Sequence, residues 1–330
     1  MLQTFSLPLQ QSVLAEYGGW AGLRREAAQM GCDGVEGIWC GEDIPPVLQR
    51  GGAAADLMQG YHLTFFPDWL DFYREDKAAI IDKFGSLAAA ENFYGGWGAE
   101  VLLNFYRADL ARAEQLAAKY LVFHVSDVSV AEGYTYRWLH SNLEVIDAAV
   151  EVINRLLAAY PEEPWEFLVE NQWWPGFTFT EPAQTERLLA GINYSRKGIM
   201  LDVGHLLNCN WQLTSQAEGA AYVQAMLRRH GQLARAVRGV HLHYSLSGQY
   251  ARAHTGRLPD FWPQDYGRQF DLSYSHVLQI DQHLPWTDKA ILPVLARIAP
   301  AYLTHELNVD GRAQRRRRVS RQSRLIEPIK

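Results

Sequence analysis

The chain has 330 residues, 48% of them hydrophobic, and a formal net charge of −6. That suits one large domain with a sizeable core, and a single α/β barrel commonly takes about 250 residues. The negative balance gives no broad pull toward nucleic acid, and no stretch reaches the roughly 20 apolar residues of a membrane span.

A strand at residues 3–7 leads into a helix over 12–30, and a second strand at 34–39 follows. A third strand at 60–65 precedes helices over 77–91 and 99–119, and a fourth lies at 120–125. A helix over 143–160, a strand at 166–170, a helix over 182–191 and a strand at 198–202 continue the alternation. A helix over 215–230, a strand at 238–243, a helix over 289–298 and a strand at 302–306 complete it. Strands alternating with helices of ten or more residues imply a parallel sheet, and eight such units close most simply into a single (β/α)8 barrel. An open doubly wound sheet is the competing arrangement. It would gather its chemistry at one switch point, and no GxGxxG follows the first strand. The longest irregular region, 245 to about 275, holds Gly248, Tyr250, Gly256, Pro259, Trp262, Pro263 and Tyr266. It is expected as a long loop over the rim after the seventh strand. A basic stretch, about 309–330, carries Arg315 to Arg318, Arg321 and Arg324 and reads as a helix with a solvated face. Three cysteines form no paired framework, and no basic segment followed by an apolar run opens the chain. The expected location is the cytoplasm.

The polar residues at the strand ends carry the chemistry. His62, His124, Glu170, Asp202, His241 and Glu306 each close an apolar run, and His205, Asp281 and His283 follow such ends. Chemistry in a barrel gathers at the C-terminal rim, so these nine side chains are expected to converge on a metal site. Mixed carboxylate and imidazole ligands suit zinc, manganese or iron, and buried carboxylates need such a partner. An Asp in the position of Asp202 also serves as the N-cap of a following helix. Asn171 is placed to orient a ligand from behind. Trp173 and Trp174 follow Glu170 in the same loop and are expected to touch substrate, as are His243 and Ser245 in the polar turn beside His241.

Several words along the chain are family-like: Val122-Phe123-His124-Val125-Ser126, Leu168-Val169-Glu170-Asn171, Leu201-Asp202-Val203-Gly204-His205, Gly239-Val240-His241-Leu242-His243 and His305-Glu306. On these words the chain resembles the xylose isomerase-like TIM-barrel superfamily, which includes sugar phosphate isomerases and epimerases and the endonuclease IV group (AP endonuclease family 2). The resemblance implies that Glu170, Asp202, His241 and Glu306 hold a divalent metal. In the isomerase branch it implies that Glu170 and Glu306 move protons. The endonuclease IV branch implies further ligands at His62, His124, His205, Asp281 and His283, enough for two or three ions. Asp281 and His283 lie farther beyond His241 than that pattern leads one to expect, and the Gly-Glu-Gly turn of the epimerase branch is absent.

Isomerisation needs one metal and two carboxylates, whereas phosphoester hydrolysis gains from several metals. The ligand set exceeds what isomerisation needs. It therefore favours metal-dependent hydrolysis of a small phosphoester, ahead of a sugar (phosphate) isomerase or epimerase and of an inactive ligand-binding barrel. The expected partner is a small sugar- or phosphate-containing molecule. The sequence assigns no oligomeric state.

Overall fold

The computed structural model describes residues 1–329. Eight parallel strands pair in chain order and close on themselves. They are β1 (Leu2–Leu9), β2 (Gly34–Trp39), β3 (Met58–His62), β4 (Tyr120–His124), β5 (Glu166–Glu170), β6 (Lys197–Asp202), β7 (Val237–His241) and β8 (Tyr302–His305). Helices pack around this (β/α)8 barrel. No helix among the described residues is long and apolar enough to cross a membrane.

Successive side chains of a strand point to opposite faces, and that period of two positions the site. Tyr120, Val122, Leu168 and Met200 form a small cluster inside the barrel. Their neighbours Leu121, Phe123, Phe167, Val169, Ile199 and Leu201 belong to the larger core between barrel and helices. One more inward step along β4, β5 and β6 reaches His124, Glu170 and Asp202. The same step reaches His62 from Gly60, His241 from Gly239 and Glu306 from Thr304. Beneath that ring the Tyr120 hydroxyl and the Thr304 hydroxyl donate to Glu36 Oε2, at 2.8 and 2.9 Å. Gly60 leaves room for this arrangement, because a methyl group there would overlap the Tyr120 ring.

Three expectations are corrected by local chemistry. The helix over 12–30 is two, Gln11–Ala15 and Trp20–Gln29, separated by Gly18 and Gly19 at φ 67° and 88°. The helix over 77–91 divides into Lys77–Phe84, closed by left-handed Gly85, and Leu87–Tyr94, capped by Ser86. The irregular region after β7 is in fact largely helical: Gly248–His254 and Tyr266–Ile280. The Asp265 side chain caps the second of these through the Arg268 N–H. Tyr266, Phe270, Ser273, Val277 and Ile280 then recur at helical spacing along one face. The glycine, proline and tryptophan residues before Asp265 obscure that period.

The helix Tyr266–Ile280 forms a roof over the barrel mouth. Its first turn is tied down by Tyr266, whose hydroxyl donates to Asp68 Oδ2 at 3.2 Å. Asp68 in turn pairs with Lys83 at 2.6 Å, and Lys83 with Asp71 at 2.8 Å. Near its end, His276 stacks on Tyr134 with ring centroids 4.1 Å apart, and its Nδ1 lies 3.0 Å from the Tyr250 hydroxyl. An antiparallel bridge between Tyr244 and Leu284 pins the returning chain. The C-terminal helix Arg312–Ile326 is only partly solvated. Arg315 is buried against the Tyr17 hydroxyl, while Gln322 accepts from the Trp286 N–H and donates to the Leu242 carbonyl.

Two outcomes follow from the interior packing and the roof. Gly60→Ala should displace Tyr120 and cost about 1–3 kcal/mol, read as a lower urea midpoint. Burial pushes the His276 imidazole down to about 4, so the folded roof favours its neutral form. That contribution is complete above the ordinary histidine value of about 6.5 and is lost as pH falls toward 4. The protection factors of amides in Tyr266–Ile280, corrected for the intrinsic exchange rate, should therefore fall on acidification through this window. Unchanged protection down to pH 4 would refute it.

Candidate metal centre

All nine strand-end and loop candidates meet at the C-terminal mouth in three groups whose ligand atoms lie within 4.8 Å of one another. The first is His62, His124 and Glu170, and the second is Glu170, Asp202, His241 and Glu306. The third is His205, His243, Asp281 and His283. Glu170 belongs to two groups. Its Oε2 lies 2.8 Å from His124 Nε2 and 3.2 Å from His62 Nε2, while its Oε1 lies 3.0 Å from His241 Nδ1. Glu306 Oε2 approaches the same His241 Nδ1 at 2.9 Å. In the third group Asp281 Oδ2 stands 3.2 Å from His205 Nε2 and 2.6 Å from His283 Nε2. Asp281 reaches the rim because it follows directly on the roof helix, which returns the chain from its long excursion after β7.

Three imidazoles are aimed by a backbone carbonyl at their other nitrogen. A carbonyl oxygen only accepts, so Nδ1 of His62 donates to the Leu63 carbonyl at 2.8 Å. Nδ1 of His205 donates to the Asn171 carbonyl at 3.0 Å, and Nδ1 of His283 to the Glu306 carbonyl at 3.1 Å. That leaves Nε2 of each ring facing its group, the arrangement metal-binding histidines use. His241 is turned the other way: Nε2 lies 3.0 Å from Glu36 Oε1 and Nδ1 faces the carboxylates. Glu36 is fully buried in mid-barrel and was missed from the sequence, although a carboxylate inside the apolar run Gly34–Trp39 was a visible signal.

The supporting residues divide. Asn171 stands behind the site as expected, its amide donating to the Asp202 carbonyl at 3.0 Å and its Oδ1 accepting from the Asp202 N–H at 2.9 Å. Asp202 Oδ1 caps the helix Val203–Asn208, while Oδ2 faces His241 and His243. Trp173 and Trp174 line the cavity above the site. His243 and Ser245 do not line it, which corrects their expected place against substrate. His243 is buried, with Nε2 2.8 Å from Asp202 Oδ2 and its ring stacked 3.8 Å from His283. Only a glycine at 204 admits that ring, since a methyl group there would overlap it. The Ser245 hydroxyl donates to Asp281 Oδ1 at 3.1 Å and accepts from the Gln282 N–H at 2.9 Å.

Electrostatics favour cations here. Burial opposes charge on Glu170, Asp281, His62, His205 and His283, but the groups around them outweigh it, whereas at His124 burial prevails and lowers the imidazole pKa. Glu170 is held well below the usual carboxylate range by His124 and His241. Asp281 is held there by His283 and His205. Conversely, Glu170 raises His62 to about 9, Asp202 and Asp281 raise His205 to about 10, and Asp281 raises His283 to about 9. Glu306 Oε2 is buried against the His241 imidazole, 2.9 Å away, without hydrogen-bond geometry, a poorly satisfied state that a cation would relieve. Mixed imidazole and carboxylate groups with anionic carboxylates fit zinc, manganese or iron.

The family model described as xylose isomerase-like TIM barrel matches residues 24–291. The chain belongs to that family. No curated protein matches its sequence. Among solved structures, this xylose isomerase-like barrel is similar to endonuclease IV from Thermus thermophilus, at 16% identity and TM-score 0.56 over 99% of this chain and 100% of that one. It is also similar to a sugar phosphate isomerase/epimerase from Parabacteroides distasonis, at 13%, 0.53, 99% and 94%. An L-ribulose 3-epimerase matches at 10% and 0.55, over 100% and 96%. At these identities the likeness is one of fold.

The Glu36 contact yields a direct test. Glu36→Gln removes the charge that orients His241 while keeping the side chain's shape. Metal retention, followed by competition with a chelating dye, should weaken about 10- to 100-fold. An unchanged dissociation curve would show that the contact contributes nothing to binding.

Proposed function

We propose that this protein is a metal-dependent hydrolase of a small phosphoester, with nine residues holding up to three divalent ions: His62, His124, Glu170, Asp202, His205, His241, Asp281, His283 and Glu306. The observation that carries the reading is the sharing of Glu170 between two adjoining ligand groups, with a third group beside them. Bound ions supply positive charge and Lewis acidity for the attacking and leaving oxygens of a phosphoryl centre. The chain supplies the rest. Glu170 holds two groups together through its two oxygens. Glu306 lines the cavity, and its carboxylate orients an attacking water. Asp281, steadied by Ser245, presents a second carboxylate to the same cavity.

An isomerase would need Glu170 to exchange protons with a substrate carbon. Glu170 is wholly buried, and both its oxygens face imidazoles, which speaks for a holding role. The cavity of about 320 Å³ lies under the roof helix and suits a small molecule rather than a duplex.

The decisive measurement is elemental analysis of the purified protein, paired with phosphate release from a small phosphoester. The expected result is more than one ion per chain, rising toward three. Phosphate release should stop on chelation and return on metal addition. Glu170→Gln should lower both the ion count and the rate, the latter about a hundredfold. A single ion per chain, with solvent protons entering a substrate carbon, would replace hydrolysis by isomerisation.

A further inference from the structure

The cavity has two unlike halves. Its floor presents His124, His205, Asp281, His283 and Glu306. Its walls are apolar: Phe65 and Trp174 come from the rim loops, and Phe270, Val277 and Leu278 from the roof helix. No Lys or Arg lines it among the described residues. The walls carry few polar groups, Asp68, Ser129, Ser273 and Tyr274, with Gln172 and Trp173 nearer the floor beside His124 and His205. Two of the wall groups are already engaged. Asp68 is held by Lys83 and Tyr266, and the Ser129 hydroxyl accepts from the Glu132 N–H at 3.3 Å.

That division constrains the ligand. A hydroxyl carried into the cavity loses its water and needs a replacement partner, and these walls offer few. A sugar body, with a hydroxyl on nearly every carbon, would be penalised repeatedly. An apolar or aromatic body gains from burial and from contact with the Trp174 and Phe65 rings. With no cationic side chain in the walls, the anionic end can be met only at the floor. The volume is near the lower end of ordinary ligand pockets, roughly 300–1,000 Å³, so the body must be compact.

We propose that the substrate is a phosphoester whose organic part is a compact, poorly hydroxylated apolar or aromatic group, held between Trp174, Phe65 and the roof helix with its phosphoryl group on the floor. This rests on reading the floor as the hydrolytic metal centre. In the reaction the oxygen of water bonds to phosphorus and the phosphorus–oxygen bond to the organic group breaks. One water proton ends on the departing alkoxide or phenoxide and the other passes to solvent. The products are phosphate and the free alcohol or phenol.

The test uses the metal-loaded protein and four probes in calorimetry: phenylphosphonate, methylphosphonate, inorganic phosphate and glucose 6-phosphate. Phenylphosphonate should bind about 10-fold or more tightly than methylphosphonate, and glucose 6-phosphate no better than inorganic phosphate. Trp174→Ala should narrow the phenyl-over-methyl margin. So should Leu278→Asp at the half-exposed mouth, a change less apt to disturb folding. Equal affinity for the phenyl and methyl probes, or a preference for glucose 6-phosphate, overturns the proposal while metal-dependent phosphonate binding leaves the hydrolytic reading standing. Phosphonate binding that is unchanged on complete removal of metal overturns the hydrolytic reading instead and leaves the apolar pocket in place.

Discussion

The structure turns on an imbalance of buried charge. Glu170, Asp202, Asp281 and Glu306 crowd the mouth of the barrel, with Glu36 buried just beneath them. Among the described residues, their ion-pair partners are histidines alone. Carboxylates removed from water require positive charge nearby, and imidazoles provide it only when protonated. The same geometry that raises the histidine pKa values would hold divalent cations in place of those protons. Proton and metal therefore compete for one cage.

The barrel makes this cage possible because its interior is an ordered stack. Inward positions recur every second residue, and parallel closure aligns the last inward position of every strand at one rim. The layer below keeps the cage in register. Tyr120, Thr304 and Glu36 form a hydrogen-bonded plug that reaches up to His241. A change deep in the barrel, far from any substrate, is thus transmitted to a ligand through rigid contacts.

The roof decides what reaches the cage. In many barrels the connection after the seventh strand is short. Here it builds two helices, anchors the second through Tyr266 and His276, and ends by delivering Asp281 and His283. One segment therefore supplies two of the four members of the third group and the apolar wall above it. The apolar wall and the third candidate ligand group are mechanically linked in this protein.

Much of this was legible in the chain. Apolar runs ending in His, Asp or Glu identify strands and rim together, because strand period and parallel topology leave such residues few other places. The cap function of Asp202 and the support from Asn171 were readable for similar local reasons. The roof was not read, although Asp265 and the face Tyr266, Phe270, Val277 and Ile280 signalled a helix, because turn-forming residues crowded the preceding segment. The sequence by itself determined which side chains stand at the strand ends, since that depends only on order and a period of two. Tertiary structure alone decided how they divide into groups, that Glu170 is shared, that Glu36 holds His241, and that His243 and Ser245 face inward. Those outcomes depend on barrel closure, which brings β8 beside β1, and on which ring nitrogen each neighbour engages, and neither is written in the spacing of residues.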